Sequence, residues 1–200
     1  MPLDALVAAA RETLTRLLGL RTVPVIDVIT DRVFDQGRLV DAGRRLGDRE
    51  LGTVLVGERP TTFAEECPGE RDFGFRVAGL RDTVRLMVWD PRELADDDAL
   101  PDRREPVEAV FSPSRTCVGV VTATALALAA GSLGDGEFID AEISMLRQPE
   151  PDPTRMIELT RLPDRGDDFA ARCERFMRQF PRLNGWPRDV RLPRGPDATG

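Results

Sequence analysis

The stretch VEAVFSPSRTCVGVVTATALALAAGSLGDGEFIDAEISML, residues 107–146, decides the fold. It reads as a strand, a buried helix and a returning strand, and it holds the longest nearly uncharged run of the chain. From Thr116 to Leu133 there is no charged residue, and Val118, Val120, Val121, Leu126 and Leu128 fall on every side of a helical wheel. A helix that is apolar all round has no side to give to water, so it belongs in an interior. Ser114 or Thr116 suits its start, because a short side-chain oxygen satisfies the orphan amides of a first turn. Gly131 suits its end, where left-handed backbone is needed.

Working outward, Leu3, Leu6, Val7, Ala10, Leu14, Leu17 and Leu18 recur at helical spacing, with Gly19 as the stop. Residues 23–30 (VPVIDVIT) and 51–56 (LGTVLV) are rich in β-branched side chains and predict strands, with a short helix over 41–46 between them. Phe73, Phe75 and Val77 alternate, as do Val84, Leu86 and Val88, around the turn AGLRD at 78–82; this predicts a hairpin. After the proline-rich break QPEPDP at 148–153, residues 154–162 predict a further strand. Phe169, Cys173, Phe176, Met177 and Phe180 then lie on one helix face, with Asp167 as cap and Pro181 as terminator. The segment LNGWP beyond it is expected to tuck Trp186 against the body. Together these elements predict a single α+β domain over residues 1–190, with a mostly antiparallel sheet and helices packed on one face. Residues 191–200 read as a flexible tail.

Composition narrows the function. A chain of 200 residues buries about 70% of its unfolded surface and needs no disulfide or metal staple. Its three cysteines, Cys67, Cys117 and Cys173, are widely spaced and odd in number, which fits neither a disulfide framework nor a metal site. Cys117 and Cys173 read as small core residues, and Cys67, beside Pro68 and Gly69, as exposed. The uncharged run is shorter than the roughly 20 residues a membrane span requires. The N-terminus has no basic flank before its apolar residues, so the expectation is a cytoplasmic protein with no membrane partner.

The net charge is −7, and every basic residue is arginine; lysine, histidine and tyrosine do not occur. Such a chain repels nucleic acid and favours a basic partner surface. The exclusive use of arginine reads as the coding bias of a GC-rich genome.

The residues available for chemistry are few. Without histidine the usual base for a Ser or Cys nucleophile is missing, and without lysine so are Schiff-base and P-loop chemistries. Ser112 and Ser114 sit in FSPSR and not in a nucleophile elbow. The glycines of GSLGDG, 131–136, follow a helix and lead into a strand, the reverse of a phosphate-cradling loop, so they read as a cap and turn. Asp140 and Glu142 would share a strand face, and such a pair can hold a divalent cation or do acid/base work. Exposed acids on an edge strand are the commoner case. Arg115, at the positive end of the buried helix, is expected in an ion pair with a group such as Asp140 or as a bidentate clamp on a ligand carboxylate. The segment 90–105 (DPRELADDDALPDRRE) carries seven acids against three arginines and reads as an exposed loop. The balance predicts a non-enzyme without cofactor or metal.

One resemblance runs from about Phe73 to Trp186, on the element order together with SRT, GEFIDAE and FPRLNGWP. In these features the chain resembles small acidic immunity proteins of bacterial polymorphic toxin systems. The resemblance implies a protein partner, a basic toxin domain, whose active site is occluded by an acidic surface. The candidate contacts are Asp96, Asp97, Asp98, Asp140 and Glu142. Two other readings stand beside it: an adaptor or accessory subunit of a larger bacterial assembly, and a carboxylate-based, metal-dependent enzyme.

Overall fold

The uncharged run forms one helix, Cys117–Gly134, in which every residue from Cys117 to Gly131 is buried. The structure is a computed structural model that describes residues 2–29, 51–56, 71–89, 107–140 and 145–180. In chain order the elements are α1 (Leu3–Leu18), β1 (Ile26–Ile29), β2 (Leu51–Val56), β3 (Arg71–Val77), β4 (Thr83–Trp89) and β5 (Val107–Pro113). The central helix α2 (Cys117–Gly134) follows, then β6 (Glu137–Asp140), α3 (Pro153–Thr160) and α4 (Phe169–Arg178).

The strands form one six-stranded sheet in the order β1-β3-β4-β5-β2-β6. The pairs β1–β3, β3–β4 and β4–β5 are antiparallel. The pairs β2–β5 and β2–β6 are parallel. Strands β5 and β6 therefore run the same way with β2 inserted between them. A parallel return needs a long crossover, because no tight turn can bring the chain back to the same end. Helix α2 is that crossover.

Alternation sets one face of the sheet inward. Phe75, Val77, Val84, Leu86, Ala109 and Phe111 are all buried on it, and Phe75 and Phe111 meet with ring centroids 6.5 Å apart. Helix α2 contacts β2, β4, β5 and β6 of the sheet, and it also contacts α1, α3 and α4. It is the filling between two layers, which is why no side of it could be polar. The outer helices show the complementary pattern. In α4, Phe169, Cys173, Phe176 and Met177 are buried while Ala171 and Arg175 face outward. The fold is α+β, with helices on one face of a mostly antiparallel sheet, and Cys117 and Cys173 lie buried in its core.

Several expectations are corrected. Residues 154–162 do not form a strand: Asp152 caps a helix there, its Oδ1 accepting from the Arg155 N–H at 2.7 Å, with Pro153 in the first turn. Proline is preorganised for a first helical turn and Asp satisfies a free amide, so this local signal outweighs the β-branched residues Ile157 and Thr160. Helix α2 passes Gly131 and ends three residues later, with Asp135 as the left-handed cap at φ 51°. Helix α4 is capped by Asp168, one residue after the expected Asp167. The length argument against a membrane span also fails, since α2 is long and apolar enough to cross a bilayer; what marks it as a core helix is that 83% of it is buried inside the fold. The expected helix at 41–46, Cys67, the acidic loop at 90–105 with Asp96, Asp97 and Asp98, Glu142 and the segment holding Trp186 lie outside the described residues.

Candidate functional site

Strand β6 ends the sheet order, so among the described residues one of its edges has no strand neighbour. Its four residues alternate: Phe138 is buried, Glu137 and Ile139 are exposed, and Asp140 is half-buried on the Phe138 side. An unpaired edge is a template for another chain unless something covers it. Here the chain covers part of it with its own return segment. The Phe138 N–H donates to the Pro151 carbonyl at 2.8 Å, and the Met145 N–H donates to Asp140 Oδ2 at 2.6 Å. Residues 145–151 are thus tied to β6 at both ends. At the far end of this strap Glu150 Oε1 accepts from the Asp152 N–H at 3.2 Å.

Between this strap, β6 and the end of α4 lies an open cleft of about 1180 Å³. Its floor is apolar, with Phe138, Met145, Met156 and Phe180 all buried. Phe180 is held from behind by Phe176 in an edge-to-face contact, with centroids 5.2 Å apart. Among the described residues its rim carries Glu137, Asp140 and Glu150 against one cation, Arg147. Ile139, 41% exposed, adds an apolar point on the rim. The cleft can accept an extended segment with apolar side chains for the floor and positive charge for the rim.

Of the predicted contact residues, Asp140 lies in this cleft; its carboxylate also fixes the turn into the strap. Arg115 is exposed in the loop before α2. Its neighbours in the S-R-T motif are structural. The Ser114 N–H donates to the Thr83 carbonyl at 2.8 Å, and Ser114 Oγ accepts from the Thr83 N–H at 3.2 Å. Thr116 caps α2 by accepting from the Gly119 N–H at 3.0 Å, and its hydroxyl donates to Asp82. The motif thus knots the start of β4, the end of β5 and the first turn of α2. Gly119 is required there, because a Cβ would stand 2.4 Å from the Ser114 carbonyl oxygen.

Sequence reading passed over a second polar centre. Arg172, 6% exposed, donates from Nε to the Leu18 carbonyl at 2.7 Å. It also donates to the Asp164 carbonyl at 2.5 Å and to Asp164 Oδ1 at 3.2 Å. Arg175 reaches the other carboxylate oxygen of Asp164 at 2.7 Å. Burial pushes the Asp164 carboxyl up, but the hydrogen bond from Arg172 and the charges of Arg172 and Arg175 outweigh it and hold the group below its ordinary value. One guanidinium thereby joins α1, the loop after α3 and α4. No periodic pattern announces it; the only local clue is an arginine on the otherwise apolar face of α4.

Among the described residues no three His, Cys, Asp or Glu side chains gather as metal ligands. No protein-family model, curated protein or solved structure matches this chain.

Proposed function

We propose that this chain is a non-catalytic, immunity-like binding protein that neutralises a basic toxin domain by occlusion, and that the cleft beside β6 is where it meets that partner. The observation that supports the reading is the pairing of a fixed apolar floor with a rim that, among the described residues, holds three acids and one arginine. The floor supplies the buried centre an interface needs, and the rim supplies charge of the sign that draws a basic surface. The net charge of −7 extends the same bias over the whole molecule. Asp140 carries over from the predicted contacts, joined by Glu137 and Glu150. The strap matters as much as the charge, because a cleft whose wall is already tied down loses less conformational freedom on binding.

The test is capture from a lysate of the producing organism on immobilised protein, washed through a salt series, with the double variant Glu137→Arg/Glu150→Arg in parallel. The expected result is one stoichiometric partner that is toxic when produced alone, is released by salt, and is lost from the doubly charge-reversed protein. A partner retained equally by wild type and variant, or no partner at all, overturns the reading. Several subunits that survive high salt would support the adaptor reading instead, with the apolar floor as the contact.

A further inference from the structure

A second concavity, of about 660 Å³, lies where the ends of α1 and α3 meet. Arg16, Arg21, Arg161 and Arg165 line it, against two acids, Glu158 and Asp164. Four arginines lining one hollow are unexpected on a chain of net charge −7.

A structural explanation is available and can be checked. Both helices point their C-terminal, negative ends this way, and cations at such ends are stabilising without any ligand. Five of the carbonyls at those ends, however, have other donors. Thr15 O accepts from the Leu20 N–H, Leu17 O from the Leu162 N–H and Leu18 O from Arg172. In α3, Ile157 O accepts from the Arg161 N–H and Thr160 O from Gln179 Nε2. The acids are engaged as well, Asp164 by Arg172 and Arg175, and Glu158 by Arg155 at 3.4 Å. Among the described residues, Arg16, Arg161 and Arg165 make no ion pair, and Arg21 has one exposed contact with Asp167 at 4.0 Å. Those five carbonyls and both acids are thus satisfied without Arg16, Arg21, Arg161 or Arg165.

The scaffold beneath them is fixed. Gly19 sits at φ 62°, where a Cβ would stand 2.3 Å from the Asp164 carbonyl oxygen, and Leu20 and Gly166 form a β-bridge across the junction. Arginine forks match the oxygen geometry of phosphate, and a phosphate group brings two charges into a compact volume. The hollow lies within the size range of small-molecule sites, which is about 300–1,000 Å³.

We propose that this cleft is a binding site for a small phosphate-bearing anion, independent of the partner cleft beside β6. The experiment is calorimetric titration of the full chain with inorganic pyrophosphate at low salt. Arg161→Gln/Arg165→Gln and Glu158→Gln proteins are titrated alongside, and citrate serves as a carboxylate probe of comparable charge. All three positions are exposed, and circular dichroism checks that each variant is folded. The expected result is saturable one-to-one binding, weakened on the order of tenfold or more in the double arginine variant and tightened in Glu158→Gln. Citrate should bind more weakly than pyrophosphate. No saturable binding, or binding unchanged by both variants, overturns the site. Citrate binding as tightly as pyrophosphate overturns the assignment to phosphate.

Discussion

Helix α2 and the junction around Arg172 are both buried, and they are held by opposite means. In α2 every residue from Cys117 to Gly131 is buried and most of them belong to the apolar core. At the junction a guanidinium 6% exposed satisfies two carbonyls and a carboxylate. The first kind of interior tolerates approximate shape complementarity and is insensitive to pH. The second depends on every partner being present, because a buried polar group without its partner costs more than the pair contributes. The comparison teaches that the sheet and its central helix are built on volume, whereas the packing of the outer helices α1 and α4 is registered by one polar contact set.

The largest expected effect lies on the apolar side. Leu126→Ala opens a cavity in a helix packed on all sides and should destabilise by about 2–5 kcal/mol in denaturant titrations, with the same loss from pH 4 to pH 8. A penalty that varied with pH would erase the contrast. Next is Arg172→Met, which keeps much of the volume but leaves the Leu18 and Asp164 carbonyls without a donor. The expected cost is about 2–4 kcal/mol. If methionine is tolerated without loss, the junction is held by packing, as α2 is.

The Asp164→Asn variant sharpens the same point through pH. The carboxyl of Asp164 is held below its ordinary value in the folded protein. Its stabilisation is therefore present above the unfolded-state value, about 3.9, and is lost as pH falls through the folded one. Urea titrations should show Asp164→Asn less stable than wild type at neutral pH, with the gap closing in acid. An unchanging gap would mean the charge is not what the arginines read. The smallest effect carries the opposite sign. Thr122 is 1% exposed, and its hydroxyl has no hydrogen-bond partner among the described residues. Thr122→Val should be neutral or stabilising by up to about 1 kcal/mol, because it removes a desolvated hydroxyl at nearly constant shape.

The same contrast explains what could be read from the sequence. Helix α2, the β3–β4 hairpin and the apolar face of α4 were legible because their signals are periodic and local: Phe75 and Val77 against Val84 and Leu86, and Phe169, Cys173 and Phe176 on one helix face. Residues 154–162 misled because Ile157 and Thr160 suggest a strand, while the decisive signal was the Asp152-Pro153 start. The insertion of β2 between β5 and β6 was not legible, since pairing Val54 with both Ala109 and Phe138 spans a large part of the chain. Arg172 was invisible for the same reason, its partner Leu18 standing 154 residues away. Of the cleft, Asp140 was legible as one of a pair of acids with Glu142. Its setting beside a tied strap and an apolar floor depends on Pro151, Met156 and Phe180, which only the fold brings to it.

The most direct test of the partner cleft compares the two edges of the sheet. A photo-crosslinking amino acid is placed at Ile139 on the β6 edge or at Val28 on the β1 edge; the two positions are 41% and 37% exposed. Both proteins are irradiated in the producing cells. The proposal predicts one covalent adduct with a single basic protein from position 139 and none from position 28. An adduct from position 28 alone, equal adducts from both edges, or none from either would contradict it.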